Sequence, residues 1–304
     1  MSENNIVFGP INSRRFGISL GIDLSPAKKC CNFDCVYCEL SRAKTTQKIE
    51  NPPSVAEILS EVSTALSQKS GIDVITITAN GEPTLYPYLN ELILELKKIK
   101  TTQKLLILSN GSGVLKDEIF NALLGLDIVK FSLDSVNKKS FVKIDRTAKF
   151  DPNELVKKMS EFRRVFSGEL VLEVLVVSGF NDTRSEFVAL NRAFGEILPH
   201  RVDISTIDRP PSYNVRGISS DELHELSKLI TNAPVAVATK RQSSVKYDFS
   251  EAQIMAMLSR RPQSQLNVAE NFSEISQKNL ENLIKNDKIK TENVAGVLFY
   301  KLKI

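Results

Sequence analysis

Cys30-Cys31-Asn32-Phe33-Asp34-Cys35-Val36-Tyr37-Cys38 carries all four cysteines of a 304-residue chain. Thiols crowded into one short loop cannot build a framework of long-range disulfides, and in a reducing compartment metal binding is their natural use. Cys31, Cys35 and Cys38 offer three ligands. A cubane held by three thiolates keeps one iron without a protein ligand, whereas a closed structural site recruits a fourth. Zinc is the competing reading, because cysteines at two-residue spacing also suit that ion. Its fourth ligand would be Cys30, which is vicinal and poorly placed, or His200 or His224 on distant segments.

The cysteine loop follows an apolar run, Ile18 to Leu24, and outward from it short Val/Ile-rich runs alternate with stretches of helical period. Five more strands are expected near Val74 to Thr78, Leu105 to Leu108, Ile128 to Leu133, Leu170 to Val177 and Val202 to Thr206. Between them lie helices such as Val55 to Leu66 and Leu89 to Ile99, each with one apolar face. Asp151 before Pro152 starts another helix, and Ser219 with Glu222 is a capping-box signature. Six strand–helix units with strands buried on both faces imply an α/β fold, a partial (β/α)6 barrel. Chemistry in such a fold sits beyond the carboxyl ends of the strands, and the motifs below are read at those ends.

The Cys31, Cys35, Cys38 spacing, with aromatic Tyr37 just before the last cysteine, resembles the radical S-adenosylmethionine (radical SAM) superfamily. The resemblance implies a [4Fe-4S] cluster on those three cysteines. Its open iron would chelate the amino and carboxylate groups of S-adenosylmethionine, and one electron would cleave the sulfonium to methionine and a 5'-deoxyadenosyl radical. It implies an electron donor such as flavodoxin or ferredoxin as partner. Asn80-Gly81-Glu82-Pro83 resembles the Gly-Gly-Glu-Pro segment that receives the cofactor's ammonium, with Asn80 in place of the first glycine; alone, Gly-Glu-Pro reads as a turn. Asn110, Ser132 and Asp134 close the third and fourth strands, with roles toward ribose or the methionine carboxylate implied, although polar strand ends are also commonplace turn formers. Val177 looks similar to an adenine-contacting position.

Ser13-Arg14-Arg15 before the first strand and Asp208-Arg209-Pro210-Pro211 after the sixth look like a bacterial and archaeal group related to wyosine-base synthases, which remodel a tRNA guanine. Arg14, Arg15 and Arg209 are then expected at the barrel mouth, holding a carboxylate or phosphate; surface charge or salt bridging is the alternative. Wyosine-forming enzymes use a second iron–sulfur cluster, and only Cys30 is left to build one here, so that activity is not transferred.

The formal charge of +4, 42% hydrophobic and 25% charged residues describe an ordinary globular chain, not a disordered or fibrous one. The opening MSENNIVFGP lacks a secretory signal and no apolar run is long enough for a membrane span, so no membrane partner and a cytoplasmic location are expected. The barrel is expected over 1–238 and a polar, basic linker over 239–249. Over 250–304, three short helices and a hairpin give a winged-helix-like domain, with Ser250 and Ser276 as caps. Such a domain would dock an RNA or protein substrate, or serve as a structural cap. Two other functions stay open: an iron–sulfur sensor that regulates DNA binding, and an activase that installs a radical on a partner enzyme.

Overall fold

The computed structural model describes residues 6–13, 15–237, 246–260, 262–294 and 297–303. Its strands are β1 (Val7–Ser13), β2 (Gly17–Asp23), β3 (Val74–Thr78), β4 (Lys104–Ser109), β5 (Ile128–Ser132), β6 (Glu169–Val176), β7 (Arg201–Thr206) and β8 (Val235–Val237). They form one sheet in sequence order; β1 is antiparallel to β2, and every other pair is parallel. The six expected strands are β2 to β7. The sequence reading missed both edges, because β1 is interrupted by Gly9-Pro10 and β8 spans three residues.

Helices α1 (Val55–Gln68), α2 (Leu89–Ile99), α3 (Asp117–Leu123), α4 (Lys138–Asp145), α5 (Pro152–Val165), α6 (Arg184–Ile197) and α7 (Ser220–Ser227) connect the strands. Ser54 and Ser219 start α1 and α7 with full capping boxes, and Asp151 caps α5 ahead of Pro152. Strand alternation then divides the side chains. On β5, Phe131 turns outward to meet Phe162 of α5 at 5.7 Å, while Ile128 joins Val74, Leu106, Val171 and Phe16 in a separate inner cluster. That cluster floors the barrel at the strand starts, leaving the opposite end for the site.

The carboxyl-terminal segment holds α8 (Glu251–Arg260), β9 (Gln263–Ser264), α9 (Gln265–Asn271), α10 (Glu274–Lys285), β10 (Ile289–Val294) and β11 (Val297–Leu302). Its antiparallel sheet runs β10-β11-β9 over a core of its own, built on Phe249, Ile254, Phe272 and Leu283. The expected linker falls largely outside the described residues, at 239–245. Ser250 does begin α8 with Gln253. Ser276 does not cap α10; Ser273 does, accepting from the Ser276 N–H at 3.2 Å. Ser276 is instead fully buried, its hydroxyl accepting from Phe249 N–H and donating to the Tyr247 carbonyl. Asn12 on β1 donates to Asn271 at 3.4 Å, and Asn12 pairs with Ile18 near the start of β2. The segment therefore touches the barrel at its strand-start end.

Candidate functional site

The cysteine loop leaves the carboxyl end of β2 and at once extends the sheet. Cys30 N–H donates to the Asn80 carbonyl at 2.8 Å, and the Cys30 carbonyl accepts from Glu82 N–H at 2.9 Å. Gly81 lies between them at φ +136°, where a Cβ would stand 1.8 Å from the Cys30 oxygen. Only glycine fits that backbone and that approach. Cys30 itself is 1% exposed and belongs to the main core. The loop is further pinned by Val36 N–H to the Ile144 carbonyl, Thr46 N–H to that of Cys31, and Ser212 N–H to that of Cys38.

Cys31, Cys35 and Cys38 are half-buried, each with a partner for its sulfur. Cys31 Sγ accepts from Phe33 N–H at 3.5 Å and has Asn110 Nδ2 at 4.0 Å; Lys29 Nζ donates to Cys38 Sγ at 3.3 Å; Cys35 donates to Asp145 Oδ1 at 3.3 Å. Burial, reinforced by the Glu82 charge, pushes Cys31 up to about 12, and burial followed by Asp145 pushes Cys35 well up. A bound metal would supply the positive charge that thiolates buried in this way need, so the donor set fits a cluster. Among the described residues no three His, Cys, Asp or Glu side chains close on a single metal ion. His200 accepts from Leu170 N–H at the start of β6, and His224 is exposed on α7. Neither completes a zinc site.

Glu82 departs from its expected role. Its buried carboxylate accepts from Thr84 N–H (3.0 Å), Thr84 Oγ1 (2.6 Å), Ser109 Oγ (2.7 Å) and Asn110 N–H (2.7 Å). Burial pushes its pKa up while these four donors pull it back. The side chain thus ties the end of β3 to the end of β4. Asn110 is also engaged: Nδ2 donates to Asn32 Oδ1 at 2.7 Å, and Oδ1 accepts from Ser112 N–H and Oγ. Asn80 uses its N–H on Asp23 and its carbonyl on Cys30. The Gly81 carbonyl takes no part in these bonds.

Asp134 is likewise drawn inward. It is 1% exposed, accepting from Tyr37 Oη on one oxygen and from Leu175 N–H at 2.7 Å on the other. Burial pushes it up to about 7; Asp145, against it, is pushed well up by burial and by Asp134's charge. A Tyr37–Asp134–Asp145–Cys35 chain therefore backs the cysteine loop. Val177 packs against Val36 and Ile144, and its N–H is taken by Asn181 Oδ1 at 2.8 Å. Ser132, at the end of β5, is half-buried beside Glu173 in register. The sequence reading missed Asn32, Lys29, Asp145 and Asn181; the first two lie in or beside the cysteine run, but no spacing flags the others.

The three arginines part company. Arg14 lies outside the described residues. Arg15 is not at the mouth: its Nε pairs with Asp203 at 2.9 Å, and it lines a cavity of about 420 Å³ with Phe16, Asp73, Lys104, Glu169 and Arg201 at the strand starts. Residues ahead of a parallel strand sit at its amino end, and that decides the matter. Arg209 follows β7 and does reach the cysteine loop, pairing with Glu39 at 3.0 Å.

Three thiols beyond the strand ends of an open parallel barrel, with the fourth cysteine sealed in the core, match what the sequence comparison finds: the Radical SAM superfamily profile covers residues 28–192. The chain belongs to the radical SAM superfamily. A UPF0026 protein of Helicobacter pylori is 40% identical over 305 residues, covering 99% of both chains. Among solved structures, Streptococcus suis SuiB bound to S-adenosylmethionine superposes with a TM-score of 0.55 at 16% identity, over 70% of this chain and 49% of SuiB. TYW1 with a lysine-pyruvate adduct bound gives 0.53 at 18%, over 73% and 75% of the two chains. These likenesses establish the barrel. No helix among the described residues is long and apolar enough to cross a membrane.

Proposed function

We propose that Cys31, Cys35 and Cys38 hold a [4Fe-4S] cluster and that this chain binds S-adenosylmethionine at the iron left open. The observation that carries the reading is the fate of Cys30: with its thiol in the core, three sulfurs remain and no fourth cysteine can close the site. Bound there, the pair supplies a 5'-deoxyadenosyl radical for hydrogen abstraction, the chemistry of an oxidoreductase- or transferase-type enzyme, given one electron from flavodoxin or ferredoxin.

The chain's own residues divide the remaining work. Gly81 presents its carbonyl as an acceptor for the cofactor's ammonium, on a backbone fixed by Glu82 and Cys30. Asn110 and Lys29 direct hydrogen-bond donors at ligand sulfurs and so help to orient them. Tyr37 and Asp134 hold the loop's far side, and Val177 keeps apolar cover over it. Ser132 faces the barrel interior as a hydroxyl for ribose or substrate. Arg209, aimed by Glu39, offers a guanidinium for a carboxylate or phosphate of the substrate.

The substrate is an RNA or a protein. The carboxyl-terminal segment, a winged-helix-like unit by its element order, would recruit it from the strand-start end and not at the mouth. A sensor that only switches DNA binding needs no cofactor cradle, and the Gly81 loop favours the enzyme over it. Anaerobic reconstitution tests the proposal: about four irons per chain and 5'-deoxyadenosine formed under dithionite are expected. A zinc-only protein, or an iron-loaded one that leaves S-adenosylmethionine intact, refutes it.

A further inference from the structure

The loop that follows the cysteines is basic and lies directly against them. Ser41 to Lys48 reads SRAKTTQK, with Arg42, Lys44 and Lys48 and no carboxylate, and all three cations are exposed. Thr46 N–H donates to the Cys31 carbonyl at 2.8 Å, so the loop is tied directly to the backbone of one proposed ligand; Ser212, whose N–H donates to the Cys38 carbonyl at 2.8 Å, lies between it and a second. Arg42 Nε holds it down from the other side, donating to the Ser212 carbonyl at 2.9 Å.

Beside it is an open depression of about 720 Å³ lined by Asp34, Arg42, Ala43, Lys44, Thr45 and Arg146. Asp34 and Cys35 are chain neighbours pointing to opposite sides: Cys35 toward Asp145 inside, Asp34 toward Arg146 at 2.8 Å and Tyr213 outside. The depression is thus the outer face of the loop that carries the cysteines. The Tyr213 ring behind two of its lining residues is already engaged, with the Arg42 guanidinium 3.9 Å and that of Arg146 4.7 Å from its centroid.

We infer that this face is where an acidic one-electron carrier protein docks, an inference that rests on the cluster proposed above. Reduction moves one electron from the carrier, which is oxidised by one, to the cluster, which is reduced by one. The carrier must come close to the cysteines without entering the barrel, and the outer face of their loop satisfies both conditions. Electron-transfer encounters are small and steered by opposite charge, which a short exposed cationic loop supplies even on a chain whose formal charge is only +4. Single-stranded RNA fits less well. It is bound by stacking bases on open aromatic faces, and Tyr213 offers none.

The test uses the reconstituted full chain and measures its reduction rate by a reduced bacterial flavodoxin and, separately, by dithionite, which needs no docking. Lys44→Glu/Lys48→Glu should slow the flavodoxin reaction by about tenfold or more and leave the dithionite rate unchanged. Added salt should slow the wild-type flavodoxin reaction and have little effect on the variant's. Lys97→Glu/Lys98→Glu, the same charge change at the end of α2, should leave both rates alone. Equal flavodoxin rates in wild type and the Lys44/Lys48 variant overturn the inference, as does a variant that keeps its flavodoxin rate but loses binding to a tRNA transcript. A chain that dithionite cannot reduce marks the failure of the cluster reading instead, and the docking face falls with it.

Discussion

Replacing Glu82 separates two roles that are easily confused. An ammonium acceptor facing the cofactor would, on removal, cost affinity and leave the apo fold intact. The carboxylate here has four protein donors, three on Oε1 and one on Oε2. In Glu82→Ala the Thr84 and Ser109 hydroxyls rotate toward other acceptors, but the Thr84 and Asn110 amides are fixed by the backbone. Orphaning a buried donor costs about 1–3 kcal/mol, so the two amides set a loss of about 2–6 kcal/mol. Relief from burying the charge offsets part of it. At about 2–4 °C per kcal/mol for a domain of this size, Tm should fall on the order of 10 °C. Glu82→Gln keeps one oxygen but turns an NH₂ against a former donor, and should fall between alanine and wild type. The measurement is thermal unfolding of apo protein by circular dichroism, followed by iron content after reconstitution. A Glu82→Ala variant melting within about 2 °C of wild type, with S-adenosylmethionine affinity alone reduced, would refute the tie between strands.

Three further outcomes follow from the same geometry. Gly81→Ala should abolish soluble, iron-loaded protein, because its Cβ meets the Cys30 carbonyl at 1.8 Å, whereas Gly179→Ala, at φ +77° with nothing within 4 Å, should cost only about 1–2 kcal/mol; soluble yield and Tm compare them. Cys30→Ala should retain its iron while Cys31→Ala, Cys35→Ala and Cys38→Ala lose it, as read by iron analysis; a Cys30→Ala protein without iron would reverse the ligand assignment. Truncation before Tyr247 should leave a folded barrel that still binds iron and still cleaves S-adenosylmethionine without substrate, since the proposed ligands lie far from the Asn12–Asn271 contact. Aggregation of that fragment would make the segment part of the barrel's core.

The six inner strands and most helix starts were legible because hydrophobic period and cap chemistry are local. So was the gathering of Cys31, Cys35 and Cys38 in one loop beyond the strand ends, where spacing is itself the signal. What a sequence does not carry is where a polar side chain points once its strand end meets its neighbours. Glu82, Asn110 and Asp134, expected to face a ligand, are each hydrogen-bonded to neighbouring strands and loops. Asp145 could not be found at all, because it reaches Cys35 across 110 residues. Arg15 differs from its expected place for another reason: its position before β2 fixes it at the barrel's amino end, whatever its guanidinium could bind.

The same inward turn bears on substrate charge. At the strand-start end of the barrel Arg15, Lys130 and Arg201 face Glu169, Glu173 and Asp203, with Lys130 Nζ 2.7 Å from Glu173 and 3.2 Å from Asp203. Three cations meet three carboxylates, so this network cancels its own formal charge. Only Asp203 is fully buried; Glu169, Glu173 and Arg201 stay partly exposed, so the pairs are screened and add little net stability. On the proposed function, a substrate entering from the mouth would meet a floor without net formal charge. Any charge it carried would then be matched nearer the rim, where Arg209 and Glu39 form an ion pair for which a carboxylate or phosphate could compete. On the proposed function, selection by charge would thus fall to the loops around the cysteines, and selection by shape to the interior beneath Ser132 and Leu175.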